Sequence, residues 1–310
     1  MSVKTFFQDE GAVQLGMWLG KTLSLPTGRK VASFVARVMA RTQKNMMRAI
    51  KANQWVVSGE KLDPAELDTR SRVVLQNIVE SLFEYFYYYQ HIEECRQLIV
   101  LSPRIKELLN DYLEKKQSQI LLGPHIGNFD LFGMMLAKLG LHPFVLSYPN
   151  PNNAYKAQNE LREAAGMKIA PITFSAYRQA KQALKDGYCL VTGLDRPLED
   201  QDDNKYQPGF FGRPASLPTF YVRMALDTGT PVRVACGTIL PDHTFYYDCS
   251  EPIQFERGDN LHDEIVLNAE KALAEAEKFI RAEPGQWAMF YPVWPKVLPT
   301  IEKMRGSHER

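Results

Sequence analysis

Cysteine is scarce in this chain and scattered: Cys95, Cys189, Cys236 and Cys249 form no Cys-x-x-Cys pair. Neither a zinc ribbon nor a disulfide framework is expected, and a reducing compartment fits this usage. Charge of one sign is also lacking, since 37 Lys and Arg face 36 Asp and Glu for a formal net charge of +1. A nucleic-acid partner is therefore not expected, because phosphate binding needs a basic excess over a whole domain. Long hydrophobic runs are missing as well. The apolar stretch from Gly11 to Gly20 is stopped by Lys21, short of the ~20 residues a spanning helix needs. Asp9 and Glu10 precede it, the wrong order for a signal peptide. The chain is expected not to cross a membrane, while remaining able to lie on one. There are no internal repeats and no low-complexity linkers, and the G-x-S-x-G elbow of serine hydrolases is absent.

What is present is 310 residues with 45% apolar content, enough for a substantial core. The basic charge is concentrated at one end: residues 1 to 56 carry nine Lys or Arg against two acids. Val31 to Ile50 reads as one helix, with Arg37, Arg41, Lys44, Arg48 and Lys51 stacked along one face by their alternating spacings of four and three. Val31, Val35, Val38, Met39, Met46 and Ile50 fall away from that face. Two readings stand: a helix lying in an anionic membrane surface, or a solvated face of a helix packed on the core. Pro64 to Gln90 reads as a second helix, with Asp63 as N-cap and Pro64 at the first position. Its end carries six aromatics between Phe83 and Tyr89, suited to core packing or to an acyl groove.

From Ile120 onward, short apolar runs alternate with helical stretches near 129 to 139, 152 to 165, 175 to 186 and 216 to 228. This alternation predicts an α/β fold with a mixed, largely parallel sheet flanked by helices. The sheet should finish in a strand pair around Pro241 and Asp242, before a helix over 261 to 281. The division expected is an N-terminal helical, membrane-facing region over 1–115 and an α/β catalytic domain over 116–310, forming one continuous structural unit.

The first apolar run ends in Gly123 and Pro124, followed by His125, Ile126, Gly127, Asn128, Phe129 and Asp130. His-x4-Asp spacing is weak by itself, with about one match expected by chance in a chain with six histidines. His243 and Asp248 provide a second copy. That copy lies in a predicted strand, where residues five apart point to opposite faces. His125 instead falls at the C-terminal end of a predicted parallel strand, where open α/β sheets place their sites. Gly127 allows a tight turn there, and the expectation is that Asp130, in the next helix's first turn, reaches back to fix the imidazole.

The segment GPHIGNFDLFG resembles the catalytic block of the lysophospholipid acyltransferase superfamily, in the branch of lipid A late acyltransferases and phosphatidylinositol mannoside acyltransferases. VTGLDRP, with Asp195 and Arg196, is similar to that family's second block; the stretch from Phe210 to Val232, containing FFGRP, to its third; and PGQWAMFYPVWP to its terminal signature. The resemblance covers the chain from about residue 70 onward. It implies a glycerolphosphate acyltransferase-like fold and transfer of a fatty acyl group from acyl-CoA or acyl-carrier protein to a hydroxyl of a phospholipid or glycolipid. It also implies His125 as general base with Asp130 as its partner. Neither a metal nor a cofactor beyond the thioester co-substrate is expected. The location implied is peripheral, on the cytoplasmic face of the inner or plasma membrane. An esterase or thioesterase using the same pair, and a non-catalytic membrane-surface protein, are the alternatives left open.

Further candidates carry two readings each. Arg196 and Arg213 present planar forks suited to phosphate of donor or acceptor, against an Asp195 to Arg196 structural contact for the former; Gly212 would permit close backbone approach beside Arg213. Arg162 has counterparts in the family, or is a solvated helical arginine. Asn128 is a substrate-binding candidate or a helix cap. Glu199, Asp200, Asp202 and Asp203 read as a solvated loop. Phe129, Phe132, Met134 and Met135 suit an acyl channel or the core.

Overall fold

Residues 10–148, 151–199 and 205–308 are described by a computed structural model of the chain. The chain begins with helices α1 (Glu10–Thr22), α2 (Leu25–Thr42), α3 (Lys44–Val57) and α4 (Pro64–Gln90). The Asp63 side chain accepts from the N–H groups of Ala65 and Glu66, while Glu66 reaches back to the Asp63 N–H, so α4 opens with a full capping box. Phe83, Tyr85, Phe86 and Tyr88 at its far end are buried, which assigns most of the aromatic run to the core.

The single helix expected over 31 to 50 is two helices, broken at Gln43 (φ −97°, ψ 63°). The buried face of α2 runs through Ala32, Ala36 and Met39; an unbroken helix would bring the polar Gln43 next onto that face. Leaving helical geometry there lets α3 restart with Met46, Met47 and Ile50 buried. The basic stripe is split as a result. Lys51 pairs with Asp68 at 2.7 Å and Arg48 with Glu302 at 2.8 Å.

After α5 (Ile92–Gln97) the chain enters a seven-stranded sheet. Its elements are β1 (Ile99–Leu101), α6 (Pro103–Leu113), β2 (Ile120–Gly123), α7 (Phe129–Lys138), β3 (Pro143–Ser147), α8 (Asn153–Ala164), β4 (Lys168–Pro171), α9 (Phe174–Lys185) and β5 (Cys189–Gly193). A short hairpin, β6 (Gly209–Phe210) and β7 (Arg213–Pro214), precedes α10 (Phe220–Thr228), β8 (Val232–Ile239), β9 (Phe245–Cys249) and α11 (Leu261–Ala282). Helix α10 thus starts later than the 216 to 228 expected. The closing helix α12 spans Leu298–His308.

Strand order is β1-β9-β8-β2-β5-β3-β4; all pairs are parallel except β8 with β9. The chain is therefore α/β, with a mostly parallel sheet, flanking helices and an N-terminal helical region. Alternation along central β2 sends Ile120 and Leu122 to one apolar layer with Tyr221 and Trp287, and Leu121 to another with Leu131, Met135 and Tyr88. Strand β1, from the N-terminal side of residue 115, completes one edge of the sheet.

Candidate active site

Adjacent parallel strands β2 and β5 run in register, with Gly123 opposite Gly193. His125 lies two residues past Gly123, and Asp195 two residues past Gly193. The two side chains therefore leave the C-terminal edge of the sheet side by side, the position in which open α/β sheets bind their ligands. His125 Nδ1 stands 2.5 Å from Asp195 Oδ1, and the His125 backbone N–H donates to Asp195 Oδ2 at 2.8 Å. Gly193 makes room for this approach: a Cβ there would lie 3.0 Å from His125 Cε1, close enough to press on the ring.

Asp195 is fully buried, and the Trp287 indole N–H donates to its Oδ2 at 2.8 Å. Burial pushes the Asp195 carboxyl up; the His125 imidazole, the indole and the backbone N–H outweigh it and hold the group below the ordinary carboxylate range. An ionised carboxylate only accepts, so Nδ1 carries the hydrogen in this pair. That leaves the lone pair of Nε2 free for proton transfer whenever the ring is neutral. The ring is partly accessible, at 24% of its side-chain surface, and Phe129 packs against it edge-on with centroids 4.8 Å apart.

The terminal block builds the other wall. Residues Pro284–Gln286 form a 3₁₀ turn. Ala288 N–H donates to the His125 carbonyl at 2.7 Å, Gly127 N–H to the Gln286 carbonyl at 2.9 Å, and Ile126 forms an isolated bridge with Trp287. The Gln286 side chain accepts from Ile239 N–H and donates to the Ile239 carbonyl, tying the turn to β8. Trp287 is boxed by Phe210, Phe211 and Trp294 at centroid distances of 6.0 to 6.4 Å. The hairpin carrying those phenylalanines is fixed to α11, with Gly209 N–H donating to Glu270 at 2.8 Å and Phe211 N–H to Glu277 at 2.5 Å.

Asp130 does not hold the imidazole, contrary to expectation. Gly127 takes φ +57°, turning the chain into α7, and Asp130 in its first turn accepts from Arg162 Nε at 3.0 Å and from a terminal nitrogen at 2.5 Å. Arg162 is correspondingly not a solvated helical arginine: only 11% of its side chain is exposed, and it also donates to Asn159 at 2.8 Å. Burial lowers its proton affinity, but the Asp130 charge more than reverses this and the guanidinium stays firmly protonated. The guanidinium in turn acts on Tyr155 of α8: burial raises its hydroxyl, yet the Arg162 charge and a hydrogen bond with Ser147 carry it below the usual tyrosine range.

Asn128 is the helix cap, accepting from Leu131 N–H at 3.3 Å, while its amide donates to the Ser81 carbonyl at 2.8 Å. Both ends of this buried amide are thus engaged within the fold. Arg196 makes no contact with Asp195 of the kind anticipated. Its guanidinium lies between the Tyr148 and Tyr291 rings, 4.9 and 4.6 Å from their centroids, and donates to the Tyr291 hydroxyl at 3.3 Å. Arg213 pairs with Glu60 and lies over the Trp55 ring. Gly212 supplies a turn at φ +74°, and a Cβ there would meet nothing within 4 Å, so it serves turn geometry and not a close approach.

Glu199 accepts from the Tyr148 hydroxyl; Asp200, Asp202 and Asp203 lie outside the described residues. Phe132, Met134 and Met135 are core, leaving Phe129 as the member of that group in contact with the imidazole. The second His-x4-Asp copy makes no dyad of this kind. His243 sits in a turn at φ +64°, and Asp248 is bound by Arg104 at 2.8 Å. A cavity of about 480 Å³ lined by Gln119, Arg233 and Phe255 lies at the N-terminal ends of β2 and β8, away from this centre.

Sequence reasoning missed two members, the roles of Asp195 and Trp287. A signal for the first was available: ILLGPH and LVTGLD both end a strand in Gly and place a titratable residue two positions later.

Among the described residues, no helix is long and apolar enough to cross a membrane. Comparison with curated proteins returns no significant match. The sequence pattern of bacterial lipid A biosynthesis acyltransferases, by contrast, matches residues 11–296. That span takes in His125, Asp195 and Trp287 together with the helices that precede the sheet, so the chain belongs to the bacterial lipid A biosynthesis acyltransferase family and is an acyltransferase.

Proposed function

We propose that this acyltransferase moves a fatty acyl group from acyl-CoA or acyl-carrier protein to a hydroxyl of a phospholipid or glycolipid, with His125 as general base. The supporting observation is the 2.5 Å contact of His125 Nδ1 with ionised Asp195, which directs the basic nitrogen of the ring away from the carboxylate. The acceptor hydroxyl gives its proton to Nε2 as its oxygen attacks the thioester carbonyl. The tetrahedral adduct then collapses with cleavage of the carbon–sulfur bond, and the departing thiolate takes the proton back from the imidazolium. Asp195 stabilises the imidazolium in between, the part an acid plays beside a catalytic histidine. General-base help of this kind contributes about 100-fold to 10,000-fold. The step requires no covalent acyl-enzyme and no cofactor beyond the thioester.

Arg196 is the phosphate ligand in this reading, since its fork is held against two aromatic rings and no carboxylate pairs with it among the described residues. Arg213 would have to leave Glu60 to serve in the same way. Asp130 and Arg162 act as a buried pair that fixes α7 to α8 beside the site. The protein works peripherally at the membrane face where its acyl donor is available, the cytoplasmic one.

The test is to incubate the purified protein with a radiolabelled acyl thioester, with and without total lipid extract. Label should move to lipid. Label appearing as free acid to the same extent in both mixtures identifies a hydrolase instead, and label remaining on the thioester identifies a non-catalytic protein.

A further inference from the structure

The sheet has a second opening, at the end opposite the acyl-transfer centre. Strands β2 and β8 lie side by side, and where they begin a cavity of about 480 Å³ opens between the end of α6, the end of α10 and the chain that follows β9. Its wall includes Asp111, Gln119, Leu226, Arg233, Ile253 and Phe255. His125 follows the other end of β2, at least ~13 Å away by four strand rises. The two places share a strand and no lining residue.

Two buried side chains in this wall hold polar atoms that the fold does not use. Gln119 is 0% exposed, and neither its amide oxygen nor its amide nitrogen has a partner among the described residues. Its backbone is in the ladder, with the carbonyl accepting from Leu190 N–H at 2.9 Å. Alternation therefore puts its side chain on the face of Leu121, and Arg233, which stands opposite Leu121 on β8, lies on that face too. Arg233 is 1% exposed; its terminal nitrogens donate to the Ser250 carbonyl at 3.0 Å and to Glu107 at 3.2 Å, while Nε has no partner among the described residues. Buried amides are normally paired, because an unpaired one destabilises the fold. A methionine at 119 would fill the same space without that cost, so the amide makes sense as a group kept for a ligand.

The surrounding charges select the ligand. Arg233 faces Glu107 and Asp111, and Asp111 pairs with Lys115 at 2.7 Å, so two cations meet two carboxylates. Helix α10 adds its C-terminal end, the negative end of its dipole, through Ala225 and Leu226. An anion finds no unopposed cation here, and a cation meets the guanidinium. A neutral ligand fits. The wall offers it donors at Gln119 Nε2 and Arg233 Nε and an acceptor at Gln119 Oε1. Their complement is an N–H between two carbonyls, the edge of a cyclic imide, and a glutamine amide pairs in two-pronged fashion with such edges of nucleobases. Leu226, Ile253 and Phe255 supply apolar surface for a ring, and the exposed Gln117 and Gln254 supply a polar rim for a hydroxylated substituent.

We infer that this cavity is a second binding site, for an uncharged heterocycle of nucleoside size with an imide edge, held by Gln119 and Arg233. Its volume lies within the ~300–1,000 Å³ of small-molecule sites. The inference uses nothing of the acyl donor or acceptor, so it stands or falls apart from the function proposed above.

Uridine is the probe, titrated into the full-length protein by calorimetry and followed in thermal melts. It should bind with a dissociation constant of ~1 mM or tighter and raise the melting temperature. 3-Methyluridine, with a methyl in place of the imide N–H, should bind at least ~10-fold more weakly, since Gln119 Oε1 is left without its donor. Gln119→Met keeps the length of the side chain and removes the amide; uridine affinity should fall at least ~10-fold while the free protein melts at or above the wild-type temperature. His125→Ala should bind uridine as the wild type does.

Any of four results overturns the inference. Uridine fails to bind up to ~10 mM; 3-methyluridine binds the wild-type chain as well as uridine does; uridine binding is lost in His125→Ala; or free Gln119→Met melts well below wild type. The last would mean that a fixed water or the fold itself already engages the amide. The 3-methyluridine comparison uses the unaltered protein and decides the matter without any variant.

Discussion

Asp195 grips His125 at two points, Oδ1 at the imidazole Nδ1 (2.5 Å) and Oδ2 at the backbone N–H (2.8 Å). One contact alone would leave the ring able to swing about the carboxylate oxygen. Two, with Trp287 on Oδ2 and Gly193 beneath the ring, fix both its tautomer and its plane.

His125→Ala is expected to lower acyl transfer at least ~100-fold. His243→Ala should leave it near wild type, because His243 occupies a turn away from any such pair. Initial rates with a radiolabelled thioester decide this, and equal losses in the two variants would mean the centre lies elsewhere.

Asp195→Asn and Asp130→Asn should fail differently. The first keeps the shape of the side chain but can present an amide N–H to Nδ1, favouring the wrong tautomer; kcat should fall by a factor of about 100 or more, with KM little changed. The second leaves buried Arg162 without its counter-charge, a loss of roughly 3–5 kcal/mol in stability, so the melting temperature should drop most. Kinetics and thermal melts on both variants separate the roles.

The dependence on pH follows from the depressed Asp195 carboxyl. A carboxyl whose folded value lies below its unfolded value of about 3.9 stabilises the fold fully above the unfolded value and loses that contribution as pH falls through the folded one. Trp287→Phe keeps the ring inside its aromatic box but removes the indole donor, so Asp195 should be depressed less. Its stability deficit against wild type should be constant near neutrality and shrink in acid. Urea melts across acidic and neutral pH measure it; a deficit that grew in acid would contradict the assignment.

Two glycines make opposite predictions. Gly193→Ala puts a methyl 3.0 Å from His125 Cε1 and should displace the ring, reducing kcat about 10-fold with a small effect on melting. Gly127→Ala combines φ +57° with a Cβ 2.3 Å from the Gly237 carbonyl oxygen, so the backbone itself must move, at a cost of about 1–3 kcal/mol or more. Melting temperatures and kcat for the pair would show whether strain and chemistry divide as the geometry requires.

The alternation of short strands with helices, the Asp63 cap of α4 and the Asn128 cap of α7 were all legible in the chain, because each depends on residues close in sequence. The placement of His125 just past the end of a strand was legible for the same reason. Its partner was not, since contact between residues 125 and 195 is decided by which strand lies beside β2, and periodicity does not reveal strand order. Nearness in sequence pointed to Asp130. The left-handed turn at Gly127 sends that side chain towards Arg162 instead. The break at Gln43 was hidden because the cation spacing runs through it without interruption, whereas the buried face does not.

The indole that steadies Asp195 comes from residue 287, far along the chain from both members of the dyad. During synthesis His125 and Asp195 emerge before the turn that walls the histidine, and the ring that holds the carboxylate lies 92 residues beyond Asp195. A nascent chain therefore carries an unassembled pair until that turn has been made. Until then the imidazole is held without the wall and the indole that fix its plane in the folded protein.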